Sequence, residues 1–252
     1  MTFRILSIVY IAACLCLLDG DAFAQRSNPD VLQTSSGTCS ILPIQHGTLA
    51  LTWNGKTIYI DPYGGGKAFE GVAPPDMIVI TDIHGDHLNL ETLETIDVSK
   101  AVFVVPQAVA DQLPEKFRRE MVIMKNGDHI QKLGIGLTAT PMYNLPETAD
   151  SRHPKGRGNG YILEIGGKRI YISGDTEDIP EMRALNDIDV AFVCMNEPTM
   201  DVDQAASAVL DFKPKVVYPF HHRGSDIERF RDLVKAGNAN IEVRIRDWYP
   251  EY

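Results

Sequence analysis

Four metal-binding side chains fall within six consecutive positions, Asp82-Ile83-His84-Gly85-Asp86-His87, directly after the apolar run Met77–Ile80. An apolar run of that length is a buried strand, so the cluster sits just past a strand end, at one rim of a sheet. Gly85 lets the backbone turn tightly there, and neighbouring side chains can then converge on one point. Imidazole and carboxylate together suit zinc, iron or manganese better than calcium.

The same setting recurs twice. Gly174-Asp175-Thr176 follows the apolar segment Arg169–Ser173, and Pro219-Phe220-His221 follows Val216–Tyr218. Taken singly, an Asp after a strand is more often a helix cap, and a His there is often structural. Three strand ends that each supply an acid or an imidazole can instead share one rim.

The rest of the chain fits that arrangement. Short strands at Ile41–His46, Leu49–Trp53 and Thr57–Ile60 form a meander, with Asn54-Gly55 as a hairpin turn. Strands and helices then alternate, with Asn89 as a helix cap. The polar segment Tyr143–Gly158 has no element of its own, which in a compact domain marks a functional or disordered loop. The second half follows a similar plan, with a hairpin over Gly166-Gly167 and then strand–helix units to Trp248. The expected fold is α/β, a four-layer αββα sandwich of two packed mixed sheets with helices outside, over residues 39–252.

Residues 1–24 read as a signal peptide: Arg4, an apolar run Ile5–Leu18, and Ala22-Phe23-Ala24 before Gln25. Cys14, in Ile11-Ala12-Ala13-Cys14, offers the weaker alternative of lipoprotein anchoring. The expected location is periplasmic or secreted, with no stable membrane span once the signal is removed. Residues 25–38 are polar and read as a flexible lead-in. A net charge of −10 argues against nucleic acid and leaves a small molecule as the expected partner. Oligomeric state is open. Cys39 and Cys194 remain in the mature chain, and either a disulfide or two separate thiols is compatible with export.

The set Asp82-x-His84-x-Asp86-His87, His153, Gly174-Asp175-Thr176 and Pro219-x-His221 resembles the metallo-β-lactamase superfamily. His153-Pro154-Lys155-Gly156 leading to Gly160-Tyr161 is similar to the branch that holds the ascorbate-phosphate lactonase-like hydrolases. The resemblance implies two divalent metals, zinc first in expectation. His84 and His153 would hold one, with Asp82 where a histidine is usual. Asp86, His87 and His221 would hold the other, and Asp175 would bridge. Asn144 stands where many relatives have the third histidine, and His222 competes with His221. The acid at position 82 implies manganese or iron as alternatives at that end.

The implied chemistry is hydrolysis of a small ester, lactone, amide or phosphodiester by a metal-activated hydroxide, with Asp86 or Asp175 orienting the water. A di-iron oxidoreductase of the same fold and a non-catalytic metal-binding protein are the alternatives. Arg157 and Arg223, with Arg152 and Lys155, are candidate cations for an anionic substrate. His46 and His129 are expected to be structural, Asp61 to serve a turn, and Glu177 to begin a helix. Asn196 and Glu197 are expected near the rim.

Overall fold

The computed structural model describes residues 28–251. The expected signal peptide and Cys14 lie outside the described residues.

Among the described residues, fourteen strands form two seven-stranded sheets. The first holds β1 (Asp30–Thr34), β2 (Gly37–Gln45), β3 (Thr48–Trp53), β4 (Lys56–Ile60), β5 (Met77–Val79), β6 (Val102–Val105) and β7 (Met121–Ile123), in that spatial order. Pairs from β1 to β4 are antiparallel, and pairs from β4 to β7 are parallel. The second sheet holds β8 (His129–Lys132), β9 (Ile135–Thr140), β10 (Gly160–Ile165), β11 (Lys168–Ile172), β12 (Val190–Cys194), β13 (Val216–Phe220) and β14 (Glu242–Val243). It has the same plan: antiparallel as far as β11, parallel from β11 to β14.

Alternation along the strands explains the layers. Leu49, Leu51, Ile58, Ile60, Met77 and Val79 point into a core shared with Leu137, Leu163, Ile170 and Phe192 of the second sheet. Ala50, Tyr59, Ile78 and Phe103 point the other way, under Leu93 of helix α1 (Leu90–Thr95) and Val109 of α2 (Gln107–Gln112). The short α3 (Pro180–Arg183) precedes β12. Helices α4 (Val202–Phe212) and α5 (Ile227–Gly237) turn Ala205, Val209, Phe212, Phe230 and Val234 into the core of the second half. Both faces of the central parallel strands β5, β6, β12 and β13 are therefore dry, which is what parallel strands require. This is the expected αββα sandwich, and Asn89 caps α1 by accepting from the Thr92 N–H.

One sequence expectation is corrected and one open choice closes. Residues 30–37 are not a flexible lead-in: β1 pairs with β2 from Asp30↔Ile41 to Thr34↔Gly37. The Asp30 carboxylate accepts two hydrogen bonds from Arg246, at 2.6 and 2.8 Å, and one from the Tyr218 hydroxyl at 2.8 Å. An edge strand buries little apolar surface, and Val31 is exposed, so hydrophobic patterning could not reveal it. Cys39 and Cys194 are separate thiols, both buried. Burial pushes them up to about 12 and about 11 respectively, so neither is a reactive thiolate. Among the described residues no helix is long and apolar enough to cross a membrane.

Candidate metal centre

The parallel strands of both sheets deliver their ends to one rim. After β5, the chain passes through Thr81 and Asp82 into a helical turn, where the His84 carbonyl accepts from the N–H groups of His87 and Leu88. That turn puts Asp82, His84, Asp86 and His87 on one side. The end of β4 contributes Asp61, the end of β2 contributes His46, the segment after β11 contributes Asp175, and the end of β13 contributes His221. His46, Asp61, His221 and Arg223 all have positive φ, at 56, 43, 50 and 38°. Non-glycine residues avoid that region, so half of the eight described residues that adopt it sit at this rim.

Asp175 is the hub. Its Oδ2 lies 3.2 Å from both His87 Nε2 and His153 Nε2, and its Oδ1 lies 3.3 Å from His221 Nε2. His221 Nε2 is also 3.5 Å from Asp86 Oδ2. The three Nε2 atoms and Asp175 Oδ1 are buried and make no hydrogen bond. Buried polar atoms are rarely left so, and a shared cation would satisfy several of them at once. Metal–nitrogen bonds of about 2.0–2.1 Å in a tetrahedral set separate neighbouring ligands by about 3.3 Å, the spacing found here. His87, Asp175 and His221 thus fit a divalent metal, with Asp86 alongside.

Each of two histidines is aimed by a partner behind it. Asp61 accepts from His87 Nδ1 at 2.8 Å, and from the Thr81 N–H and hydroxyl at 2.7 and 2.5 Å. This fixes the tautomer and turns Nε2 towards Asp175. Asn144 Oδ1 does the same for His153, accepting from its Nδ1 at 2.9 Å and its backbone N–H at 2.8 Å. Asn144 is itself held by the Pro198 carbonyl at 2.7 Å and Glu177 at 3.2 Å. Of His153 and Asn144, the two candidates at this position, the imidazole faces Asp175 and the amide positions it.

Electrostatics follow from this crowding. Burial works against charging His87, but Asp175 and Asp61 hold its imidazolium well above the usual range. Burial likewise opposes ionising Asp175, yet His221 and His87 hold its carboxyl well below the usual range. Asp86 is depressed as well, burial being outweighed by His221 and His46. A cation bound here must displace protons from imidazoles, which ties affinity to pH.

The cations are not free. Arg157 donates from Nε and Nη2 to the two oxygens of Asp82, at 3.0 and 2.6 Å. Arg223 donates to Asp86 Oδ2 at 2.5 Å, and Lys155 pairs with Glu147 and Glu181 away from the rim. Arg157 is therefore spent on an acid and does not wait for a substrate anion. Arg152 makes no ion pair among the described residues. It lines a cleft of 280 Å³ with Asp86, Asp175, Asn196, Glu197, His221 and Arg223.

A family model described as the beta-lactamase superfamily domain matches residues 57–222, two thirds of the chain. This chain belongs to the beta-lactamase superfamily. A metal-dependent hydrolase of Pyrococcus abyssi is 31% identical over 71% of this chain and 85% of its own length. One from Lysinibacillus sphaericus is 29% identical over 79% and 92%. The crystal structure of a protein described as a metal-dependent hydrolase, from Parabacteroides distasonis, shares 37% identity at a TM-score of 0.79, covering 88% of this chain and 99% of that one.

Within this superfamily member, sequence reasoning misjudged His46. It is 3% exposed, its ring lies 3.7 Å from that of His221, and its Nε2 is 3.1 Å from Asp86 Oδ2. Its neighbour Gly47 carried a signal: a Cβ there would meet His221 Cδ2 at 3.2 Å. Asp61 was read as turn chemistry and is instead the partner of His87. Glu177 holds Asn144 rather than starting a helix. His222 is also buried, but its ring packs against Tyr249, so His221 alone of the pair faces the centre. His129 is an exposed edge residue bonded to Thr138, as expected.

Proposed function

We propose that this metal-dependent hydrolase of the metallo-β-lactamase fold acts on a small, anionic ester, lactone, amide or phosphodiester. The observation that carries the reading is the set of buried, unbonded ligand atoms of His87, His153, Asp175 and His221, of which Asp175 and His221 line the cleft. Zinc suits an imidazole-rich set of this kind. A divalent metal held there would lower the pKa of a coordinated water from about 15.7 towards about 7, making hydroxide available at neutral pH.

The chain's own groups do the rest. Asp61 and Asn144 keep His87 and His153 in the neutral tautomers that offer Nε2. Asp86 Oδ2 is held by Arg223 and His46, leaving Oδ1, 3.9 Å from His87 Nε2, to orient an attacking water. Arg152, which makes no ion pair among the described residues, lines the cleft, where it can receive a carboxylate or phosphate group. The 280 Å³ volume favours a small molecule. On its N-terminal sequence, we also place the protein outside the cytoplasm, which mass spectrometry of the exported chain would test by finding Gln25 as the first residue.

The purified chain should hydrolyse at least one member of a panel of anionic lactones, esters and phosphodiesters. Chelation should abolish that rate and added zinc or manganese restore it, with His221→Ala lowering kcat/KM by more than about 100-fold. A rate that survives chelation would sink the reading.

A further inference from the structure

The rim end of the ligand cluster differs from its deep end. Asp82, His84 and His153 place ligand atoms within 4.8 Å of one another, as a second metal would need. Yet a cation is already there. Both oxygens of Asp82, whose side chain is fully buried, accept from the Arg157 guanidinium, and the same Nη2 lies 3.3 Å from His84 Nε2. The third group, His153, turns its Nε2 to Asp175 at 3.2 Å.

The position of Arg157 is built into the fold. The Asn159 N–H donates to the Thr81 carbonyl at 2.9 Å, tying the end of the Tyr143–Gly158 loop to the residue before Asp82. The Asn159 side chain donates to the Met124 carbonyl at 2.8 Å and accepts from Asn126 at 2.7 Å. Gly158 lies so close to the same turn that a Cβ would meet the Thr81 carbonyl oxygen and Met142 Cε, each at 2.7 Å. Between these anchors Arg157 has little choice of direction. A planar fork against a carboxylate is the most directional ion pair a protein can make, and it satisfies a buried acid without a metal.

The geometry points to a mononuclear centre: the Arg157 guanidinium takes the place of a metal at Asp82 and His84, and a single divalent cation binds at His87, Asp175 and His221. This inference rests on the metal reading of the deep end. A divalent ion at Asp82 would share both carboxylate oxygens with the guanidinium and lie in contact with a like charge, in a site shielded from water. The monovalent fork neutralises Asp82, whereas the unbonded Nε2 atoms of His87 and His221 and Oδ1 of Asp175 at the deep end have no guanidinium among them.

The test counts metal. The intact chain is stripped by chelation, titrated with zinc and separately with manganese, desalted, and assayed by elemental analysis and native mass spectrometry. One equivalent is expected for the wild type. Arg157→Ala should expose the rim ligands and raise the count to two, the second equivalent weaker. His84→Ala, which touches only the rim end, should keep one equivalent with its affinity within about threefold. Two equivalents in the wild type, a count that stays at one in folded Arg157→Ala, or a drop below one in His84→Ala would each overturn the inference. A wild-type count of zero with both metals would instead remove the metal reading itself. The wild-type count decides between one and two metals even if Arg157→Ala does not fold.

Discussion

The two halves of the molecule share a topology and supply the rim in different ways. The first sheet delivers Asp82, His84, Asp86 and His87 in one hexapeptide, braced from behind by the carboxylate of Asp61. The second sheet delivers Asp175 and His221 singly from two strand ends, and His153 from a loop braced by the amide of Asn144. The two guanidiniums that pair with acids at the rim come from the second half and their acids from the first, Arg157 with Asp82 and Arg223 with Asp86. The site is thus a seam: neither half carries a complete set of ligands, and neither balances its own charge there. A metal at Asp175 and His87 would join the two halves as well as serve the chemistry.

If the brace in the first half does more because it is charged, Asp61→Asn should be the most damaging change outside the ligands. An amide cannot accept from the Thr81 N–H, the Thr81 hydroxyl and His87 Nδ1 together. Metal affinity should fall by about 10–100-fold, read by competition with a chromogenic chelator. An Asp61→Asn protein that binds metal like the wild type would erase the contrast between the halves.

Asn144→Ala tests the neutral brace. It leaves the buried His153 Nδ1 and N–H without their acceptor, and affinity should fall by about 10-fold, at the mild end of such effects. The ordering of the two variants matters more than either size. A larger loss for Asn144→Ala would show that the loop, not the hexapeptide, governs the site.

The smallest effect belongs to the seam far from the rim. Asp30 on β1 is gripped by Arg246 and Tyr218, and Asp30→Ala should lower stability by about 1–3 kcal/mol, towards the lower figure because Asp30 is only partly buried. Metal content should not change. Burial opposes ionising Asp30, but hydrogen bonds from Arg246 and Tyr218 hold its carboxyl below the ordinary range. Its contribution is therefore fully present above the unfolded value near about 3.9 and fades as pH falls through the lower folded value. Denaturant melts of both proteins should converge in acid. A gap that widens there would show that Asp30 is not the source.

The amino-acid sequence by itself determined the layers and most of the candidate ligands. Alternation in Leu49–Trp53 and Thr57–Ile60, turn residues at Asn54-Gly55, and acids or imidazoles just past apolar runs are local properties, and local properties survive in one dimension. Tertiary structure alone decided what each polar side chain is for. His46 looked structural and Asp61 looked like a turn residue because their partners, Asp86 and His87, lie 40 and 26 positions away. Arg157 looked free because Asp82 is 75 positions distant. Residues 30–34 looked disordered because the groups that fix Asp30 lie 188 and 216 positions further on. A charge or a hydrogen-bonding atom has no fixed meaning until folding sets its neighbour and removes the water between them, and that pairing is a property of three-dimensional distance.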